Sequence, residues 1–410
     1  MKGRAGRERE LAPGAALALV ESVLDERGLR VEFVSSGSAG FPLHRCSVYG
    51  PGGRLVAESL GKGAGGQSRV SALFEAWQHL RHQEGQAACD VRVLPVSYVV
   101  GQAGLAGEEM LRRLAGDFPA ARLACVWLEP LRGGSGGLWF PLFARAPWCR
   151  DSPVPGDDLR GYAPYLRYAY DNGTAAGASV NEAVLHGLLE VVERDALSHA
   201  LLEWYARGEG PVRAVGRAVL PADVRVLFDE VTQVLGAPPL VVEVTSDLGV
   251  PVFAALPSAA CGFAGVLGSG ASLSPAYAVE RALSEVAQSL FNLSLGVDAS
   301  LERRLSSLAR WPVLERCARV DAGPLLERVV WSARGPGEGS SLGVADQVEV
   351  VLSAVEAAGF SAYVVRWNPS DEVCPVVTVV VPGLDAFSMV HNAVPVLPTG
   401  RAVRLLGRRG

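Results

Sequence analysis

The sequence predicts a mixed α/β protein, and three observations carry that reading. Strand-like runs and helical stretches alternate irregularly along the 410 residues, which argues against a regular doubly wound sheet. Hydrophobic residues make up 49% of the chain, enough for a large core. Three glycine-rich turns each run into a helix that carries acidic residues at helical spacing.

Apolar spacing predicts a first helix over Ala15–Arg27, then short strands near Val31–Val34, His44–Tyr49 and Arg54–Ser59, divided by Gly and Pro turns. An acidic helix follows over Ser68–His82. Next come a strand at Val91–Val99, a helix near Glu108–Gly116 and strands at Ala124–Leu128 and Leu138–Phe143. The strongest helical pattern runs from Ser179 to Ala206, with another over Asp223–Leu235. Strands at Leu240–Val244 and Pro251–Leu256 lead to a helix from Pro275 to about Asn292, whose start has a good N-cap in Ser274 and a proline at the first helical position. A helix over Val344–Ala358, strands over Ser361–Trp367 and Val376–Val381, and a tail from Pro382 complete the chain. No Pro/Ser-rich linker divides it, so it reads as one integrated unit.

A formal net charge of −5 gives no electrostatic footprint for nucleic acid, and Arg401, Arg404, Arg408 and Arg409 read as a solvated basic tail. Met1–Arg9 is charged rather than a signal peptide, and no apolar run reaches the roughly 18 residues of a membrane span. A cytoplasmic protein is expected. The seven cysteines are scattered without a CxxC pair, which predicts reduced, mostly buried thiols.

The glycine turns are Gly61-Lys62-Gly63-Ala64-Gly65-Gly66, Asn172-Gly173-Thr174-Ala175-Ala176-Gly177 and Gly268-Ser269-Gly270. Such turns let backbone N–H groups approach an anion at a helix N-terminus, and carboxylates further along are hard oxygen ligands for Mg²⁺. Glu182, Glu190 and Glu193 fall within an arc of about 80°, with Arg194 about 40° beyond Glu190. Arg281, Glu285 and Gln288 lie within about 60°, and Glu75 and Gln78 are neighbours at i, i+3. Structural alternatives stand beside each. Ser179 and Glu182 fit a capping box, and Glu190 with Arg194 or Arg281 with Glu285 fit i, i+4 salt bridges. The pattern suggests a nucleoside triphosphate held with metal, without a standard phosphate loop. Lys62 is a weak phosphate contact, because G-x-x-x-x-G-K-[ST] is absent. Gly133-Gly134-Ser135-Gly136-Gly137 matches G-x-S-x-G, yet a strand follows it, so it reads as a hairpin. His79 and His82 lack the glutamate spacing of a zincin helix.

With these motifs in view, the chain resembles the YcaO family from about Gly61 to the C-terminal region. The carrying residues are Asn172 to Gly177, Asn181-Glu182-Ala183 and Leu189-Glu190-Val191-Val192-Glu193-Arg194-Asp195; Ser71 with Glu75, and Arg281 to Glu285 with Gln288, are similar to the first and third family signatures. Gln78 and His79 stand where the first signature has Glu and Arg, and Ala178 replaces Asn. The resemblance implies the YcaO fold with mixed sheets, packed helices and an acidic cleft for Mg²⁺ and ATP. It assigns Glu75, Gln78, Glu190 and Glu193 to metal, and Ser71, Glu182, Arg194, Arg281 and Glu285 to the nucleotide. The implied chemistry is ATP-dependent activation of a backbone amide in a ribosomally made precursor peptide. The substrate supplies the nucleophile, and a thiazoline is the expected product. Macroamidine formation, thioamidation with a partner and a non-catalytic nucleotide-binding scaffold are the alternatives. The expected organisation is residues 1–60 as an N-terminal part without a leader-binding domain, 61–381 as the ATP-binding core and 382–410 as a tail. A homodimer is expected, with a separate leader-binding or TfuA-like partner, and neither nucleic acid nor membrane.

Overall fold

In the computed structural model, the described residues are 8–37, 42–63, 66–85, 89–133, 136–258, 265–294, 301–337, 339, 341–368 and 373–407. Ala64, Gly65, Gly134, Ser135, Cys261, Arg408 and Arg409, singled out above, lie outside them. Helix α1 (Pro13–Glu26) buries Ala16, Val20 and Leu24 at helical spacing. Strands β1 (Arg30–Gly37), β2 (Pro42–Tyr49) and β3 (Leu55–Gly61) form an antiparallel sheet, with Phe33 opposite Cys46 and Cys46 opposite Ser59. Helix α2 (Gln67–Glu84) lies on that sheet.

The chain continues through β4 (Val91–Pro95), α3 (Val96–Val100), α4 (Glu109–Asp117), β5 (Arg122–Pro130), β6 (Leu138–Pro141) and β7 (Thr174–Ala176) to α5 (Val180–Leu201), which ends in a π turn over Leu202–Arg207. After β8 (Val212–Ala214), α6 (Ala222–Leu235), β9 (Leu240–Glu243), β10 (Val252–Leu256) and β11 (Gly268–Ala271) comes α7 (Pro275–Ser294). Short helices α8 (Leu301–Ser307), α9 (Pro312–Arg319) and α10 (Gly323–Leu326) precede β12 (Val329–Trp331), α11 (Val344–Ala357), β13 (Tyr363–Arg366), β14 (Val376–Val380) and α12 (Arg401–Gly407). Two further sheets result. One has the order β11-β10-β9-β8-β12, parallel only between β8 and β12; the other has the order β4-β5-β13-β14-β7, with β6 on β5. The hairpin expected around residues 133–137 joins β5 to β6, where Cys125 faces Pro141. Among the described residues no helix is long and apolar enough to cross a membrane, and no disulfide joins the six described cysteines.

Helix α5 is apolar on most of its surface, which is the pattern of a helix buried on several sides. Its Val184, Leu188, Val191 and Val192 share one core with Val377 and Val379 of β14, Val252 of β10, Ala271 of β11 and Val351 of α11. The helix therefore lies where the two larger sheets meet.

Several expectations are corrected. The second glycine turn contains strand β7, and the third is strand β11. Their glycines serve close packing: a Cβ on Gly268 would lie 2.0 Å from the Ala282 carbonyl oxygen, and one on Gly61 would lie 1.9 Å from that of Ser68. Each glycine thus lets a strand touch the backbone of the helix that follows it. The strand over Val91–Val99 stops at Pro95, which lacks a ladder donor and whose fixed φ suits a helix start. Likewise Pro141 ends the strand expected to reach Phe143. The helix expected to run to Ala206 gives way after Leu201 to the π turn. Arg401 is not solvated, since only 5% of it is exposed.

Replacing Gly61 or Gly268 by alanine should cost about 3 kcal/mol, because the added methyl meets backbone rather than a movable side chain. Gly14→Ala in α1, with nothing within 4 Å, should instead stabilise by about 0.5 kcal/mol. Denaturant midpoints of the three variants check the contrast; equal shifts would contradict it.

Candidate nucleotide and metal site

Strand β11 is the edge of its sheet, and its outward N–H groups need partners. Two carboxylates supply them. Buried Glu193 of α5 accepts the Ser269 hydroxyl at 2.7 Å and the Ala271 N–H at 3.0 Å. Glu285 of α7 accepts the Ser269 N–H at 3.0 Å, and its second oxygen takes the Lys62 ammonium at 2.6 Å. The outward N–H groups of β11 at Ser269 and Ala271 are therefore held by protein carboxylates. Burial works against the charge of Glu285, but Lys62 and Arg194 outweigh it and hold the carboxyl at about 2.

Of the two local salt bridges offered as alternatives, Glu190 and Arg194 keep theirs at 3.9 Å, with Arg194 Nε buried and making no hydrogen bond, whereas Arg281 pairs with Glu193 at 3.5 Å instead of with Glu285. Burial raises the Glu190 carboxyl to about 8; Arg194 opposes this, and Asp171 and Glu193 add to it. Burial also raises Glu75 of α2, which lies within electrostatic reach of Lys62, Glu285 and Asp171. Lys62 thus belongs to the cluster, tying the loop after β3 to α7, and Gln288 reinforces that tie by donating to the Leu60 carbonyl at 2.7 Å. Ser71 and Gln78 share the helical face of Glu75 by spacing, while no hydrogen bond joins either to the residues named here.

Half of the capping box is present: the Glu182 N–H donates to the Ser179 hydroxyl at 3.2 Å. The Glu182 carboxylate turns away, accepting the Glu10 N–H at 3.1 Å and pairing with Arg9 at 3.4 Å. Beside them Glu8, only 4% exposed, accepts from Ser272 and faces Arg281 at 3.9 Å. Sequence reasoning missed Glu8, Arg9 and Asp171. Asp171 directly precedes the second motif, and that adjacency was the one signal available. It faces buried His82 at 3.4 Å, and its Oδ1 is buried without a partner.

Among the described residues no three His, Cys, Asp or Glu side chains form a group that could hold a metal ion alone. That suits Mg²⁺, which binds through one or two carboxylates together with waters and substrate phosphates rather than in an all-protein cage. Glu75, Glu190 and the orphan oxygen of Asp171 are hard donors for it, and the orphan Nε of Arg194 is a donor for phosphate.

Comparison with known proteins agrees with this chemistry. The family model described as YcaO cyclodehydratase, ATP- and Mg²⁺-binding, matches residues 60–385. The chain belongs to the YcaO family. ATP and Mg²⁺ are therefore its cofactors. Among curated relatives, an uncharacterised protein of Methanothermobacter thermautotrophicus (strain Delta H) is 30% identical over 269 residues, 62% of this chain and 65% of its own length. An uncharacterised protein from the tfuA 3′ region of Rhizobium leguminosarum bv. trifolii is 28% identical over 288 residues, 64% of this chain and 60% of its own. The chain thus spans less than two thirds of either relative. Among solved structures, YcaO from Methanopyrus kandleri bound with AMPPCP and Mg²⁺ superposes with a TM-score of 0.64 at 23% identity, covering 95% of this chain and 96% of that one. A heterocyclase in complex with substrate and cofactor gives 0.63 at 20% identity, covering 97% and 58%. The α/β YcaO fold is the fold of this protein.

The raised Glu190 carboxyl has a consequence for stability. Between the ordinary carboxylate range and about 8, the folded protein without nucleotide or metal binds more protons here than the unfolded chain, so stability falls as pH rises through that window. Glu190→Gln should flatten the fall and leave the variant more stable than its parent at the alkaline end. Denaturant unfolding across the window reads this; an unchanged slope would overturn it.

Proposed function

We propose that the protein activates a backbone amide of a ribosomally made precursor peptide with ATP and Mg²⁺, closing an azoline, most often a thiazoline from cysteine. The observation that carries the reading is the convergence of α2, α5 and α7: carboxylates from all three motifs meet Lys62, Arg194 and Arg281 within one electrostatic cluster. We assign Glu75, Gln78, Glu190 and Glu193 to metal, and Ser71, Glu182, Arg194, Arg281 and Glu285 to the nucleotide. Glu193 keeps capacity for this, since a carboxylate has about four lone-pair sites and two hydrogen bonds use only part of them.

When bound, ATP supplies the phosphoryl group that makes the amide oxygen a leaving group, and Mg²⁺ offsets its charge. The protein's own residues bind and orient. Arg194 offers a buried, unpartnered N–H, and Arg281 a guanidinium whose carboxylate partners stand at 3.5 and 3.9 Å. Fixed donors and charges of this kind carry most of a phosphoryl transfer. The substrate provides the nucleophile. Burial pushes the thiols of Cys46, Cys89, Cys149 and Cys317 up to about 12, which makes them poor thiolates near neutral pH.

A second reading, thioamidation with a TfuA-like partner, is favoured by the genetic setting of the Rhizobium relative. We also place the chain in a homodimer, because two-fold pairs are the commonest oligomers; a monomer mass in light scattering at every concentration would remove that part.

Incubation with a precursor peptide, ATP and Mg²⁺ should release ADP and phosphate and remove one water from the peptide per ring. Glu190→Gln should lower turnover at least about a hundredfold while melting cooperatively, and Cys→Ala changes in the enzyme should leave turnover intact. AMP with pyrophosphate as first products, or an essential enzyme cysteine, would refute the reading. A mass shift of oxygen-to-sulfur exchange would select thioamidation.

A further inference from the structure

A second cluster of buried charge lies behind the nucleotide site, where the C-terminal segment meets α5. Arg401, the first residue of α12, places its Nε 3.2 Å from the Asp195 carboxylate and 3.3 Å from His199 Nε2, and its Nη2 bonds Asp247. Asp195 is fully buried and directly follows Arg194. The same Asp195 oxygen accepts the Asp385 N–H at 2.9 Å. The Asp385 carboxylate in turn accepts the Phe387 N–H at 3.0 Å and lies within electrostatic reach of the Thr399 and Ala402 N–H groups in the segment that presents Arg401. Ser198, one turn after Arg194, donates to the Arg194 carbonyl at 2.6 Å and accepts the Ser388 N–H at 2.8 Å. One turn of α5 is therefore hooked to the C-terminal segment at Asp195, Ser198 and His199.

We propose that Arg401 is a positioning residue for nucleotide binding: by clamping Asp195 it sets the rotation of the helical turn that carries Arg194 and Glu193. Asp195 points about 160° away from Glu193 around the helix. Strand β11 thus holds α5 from one side, through Glu193, and Arg401 holds it from the other. Without the guanidinium, Asp195 is a buried carboxylate that has lost its charge partner, an arrangement far costlier than the intact pair. The turn that carries Arg194 then loses this hold on the C-terminal segment, and Arg194 is no longer fixed in place. The inference rests on the assignment of Arg194 to the nucleotide.

Calorimetry with Mg²⁺ and a non-hydrolysable ATP analogue tests it, alongside thermal melting. Arg401→Met should weaken binding about tenfold while the protein still melts cooperatively. Arg401→Lys, which keeps the charge but not the fork, should recover part of the loss. Arg404→Met, on the exposed side of the same helix, should bind like the parent. Should Arg401→Met fail to fold, the double variant Asp195→Asn with Arg401→Met leaves no unpaired charge and takes its place, again with weakened binding expected. Parent-like affinity in the folded Arg401 variant, or an equal loss in Arg404→Met, would overturn the proposal and leave the proposed function standing. Absence of analogue binding by the parent would overturn the assignment of Arg194, and this inference with it.

Discussion

The Glu193 carboxylate is the interaction on which the architecture turns. It rises from α5, whose apolar faces are committed to the six-stranded sheet, and closes the open edge of the five-stranded one at Ser269 and Ala271. Each party resolves the other's difficulty. An edge strand exposes unpaired N–H groups, and a buried carboxylate is tolerated only when it is hydrogen-bonded and paired. Arg281 completes the arrangement from α7. Moving this carboxylate would separate two sheets as well as alter the proposed metal ligand.

The three motifs share one packing solution. A glycine in or beside a strand removes the Cβ that would strike the next helix, as at Gly61 against α2, Gly177 against α5 and Gly268 against α7. Each helix then lies close enough for its acidic residues to gather at one place. The balance of charge there is informative: Glu75, Asp171, Glu190, Glu193 and Glu285 face Lys62, Arg194 and Arg281. With Glu190 protonated up to about 8 and Glu75 raised as well, the cluster would ionise fully only beside a divalent cation, in keeping with the paired cofactors of the family.

Helical periodicity made α1, α2, α5, α6, α7 and α11 legible, and the acidic faces of α2, α5 and α7 with them. What failed was non-local. Strands β7 and β11 read as turns because glycine signals a turn locally, while the ladder of β7 comes from β14, distant in sequence, and that of β11 from β10 across the segment that precedes it. Strands β8 and β12 are three residues each, too short for a period-2 pattern to register. Arg401 looked solvated because charged residues near a chain end usually are; its partners Asp195 and Asp247 are more than a hundred and fifty positions away. Glu8 carried no motif, and only the folded chain brings it to Arg281.

The distances also separate clasps from ligands among the basic residues. Lys62 holds Glu285 at 2.6 Å, the length of a strong charge-assisted bond, so its ammonium is committed to joining β3 to α7. Arg194 and Arg281 are held loosely, at 3.5 to 3.9 Å from their carboxylates, well beyond the ~2.7–2.9 Å of such a bond. A guanidinium in that position loses little when an incoming oxygen replaces a carboxylate, and its planar fork matches a phosphate. Glu8 marks where such an oxygen would sit at Arg281, because a buried carboxylate and a phosphate seek the same donors. The sequence drew attention to Lys62 through its glycines, whereas the looser pairing of Arg194 and Arg281 supports assigning the proposed phosphate contacts to them.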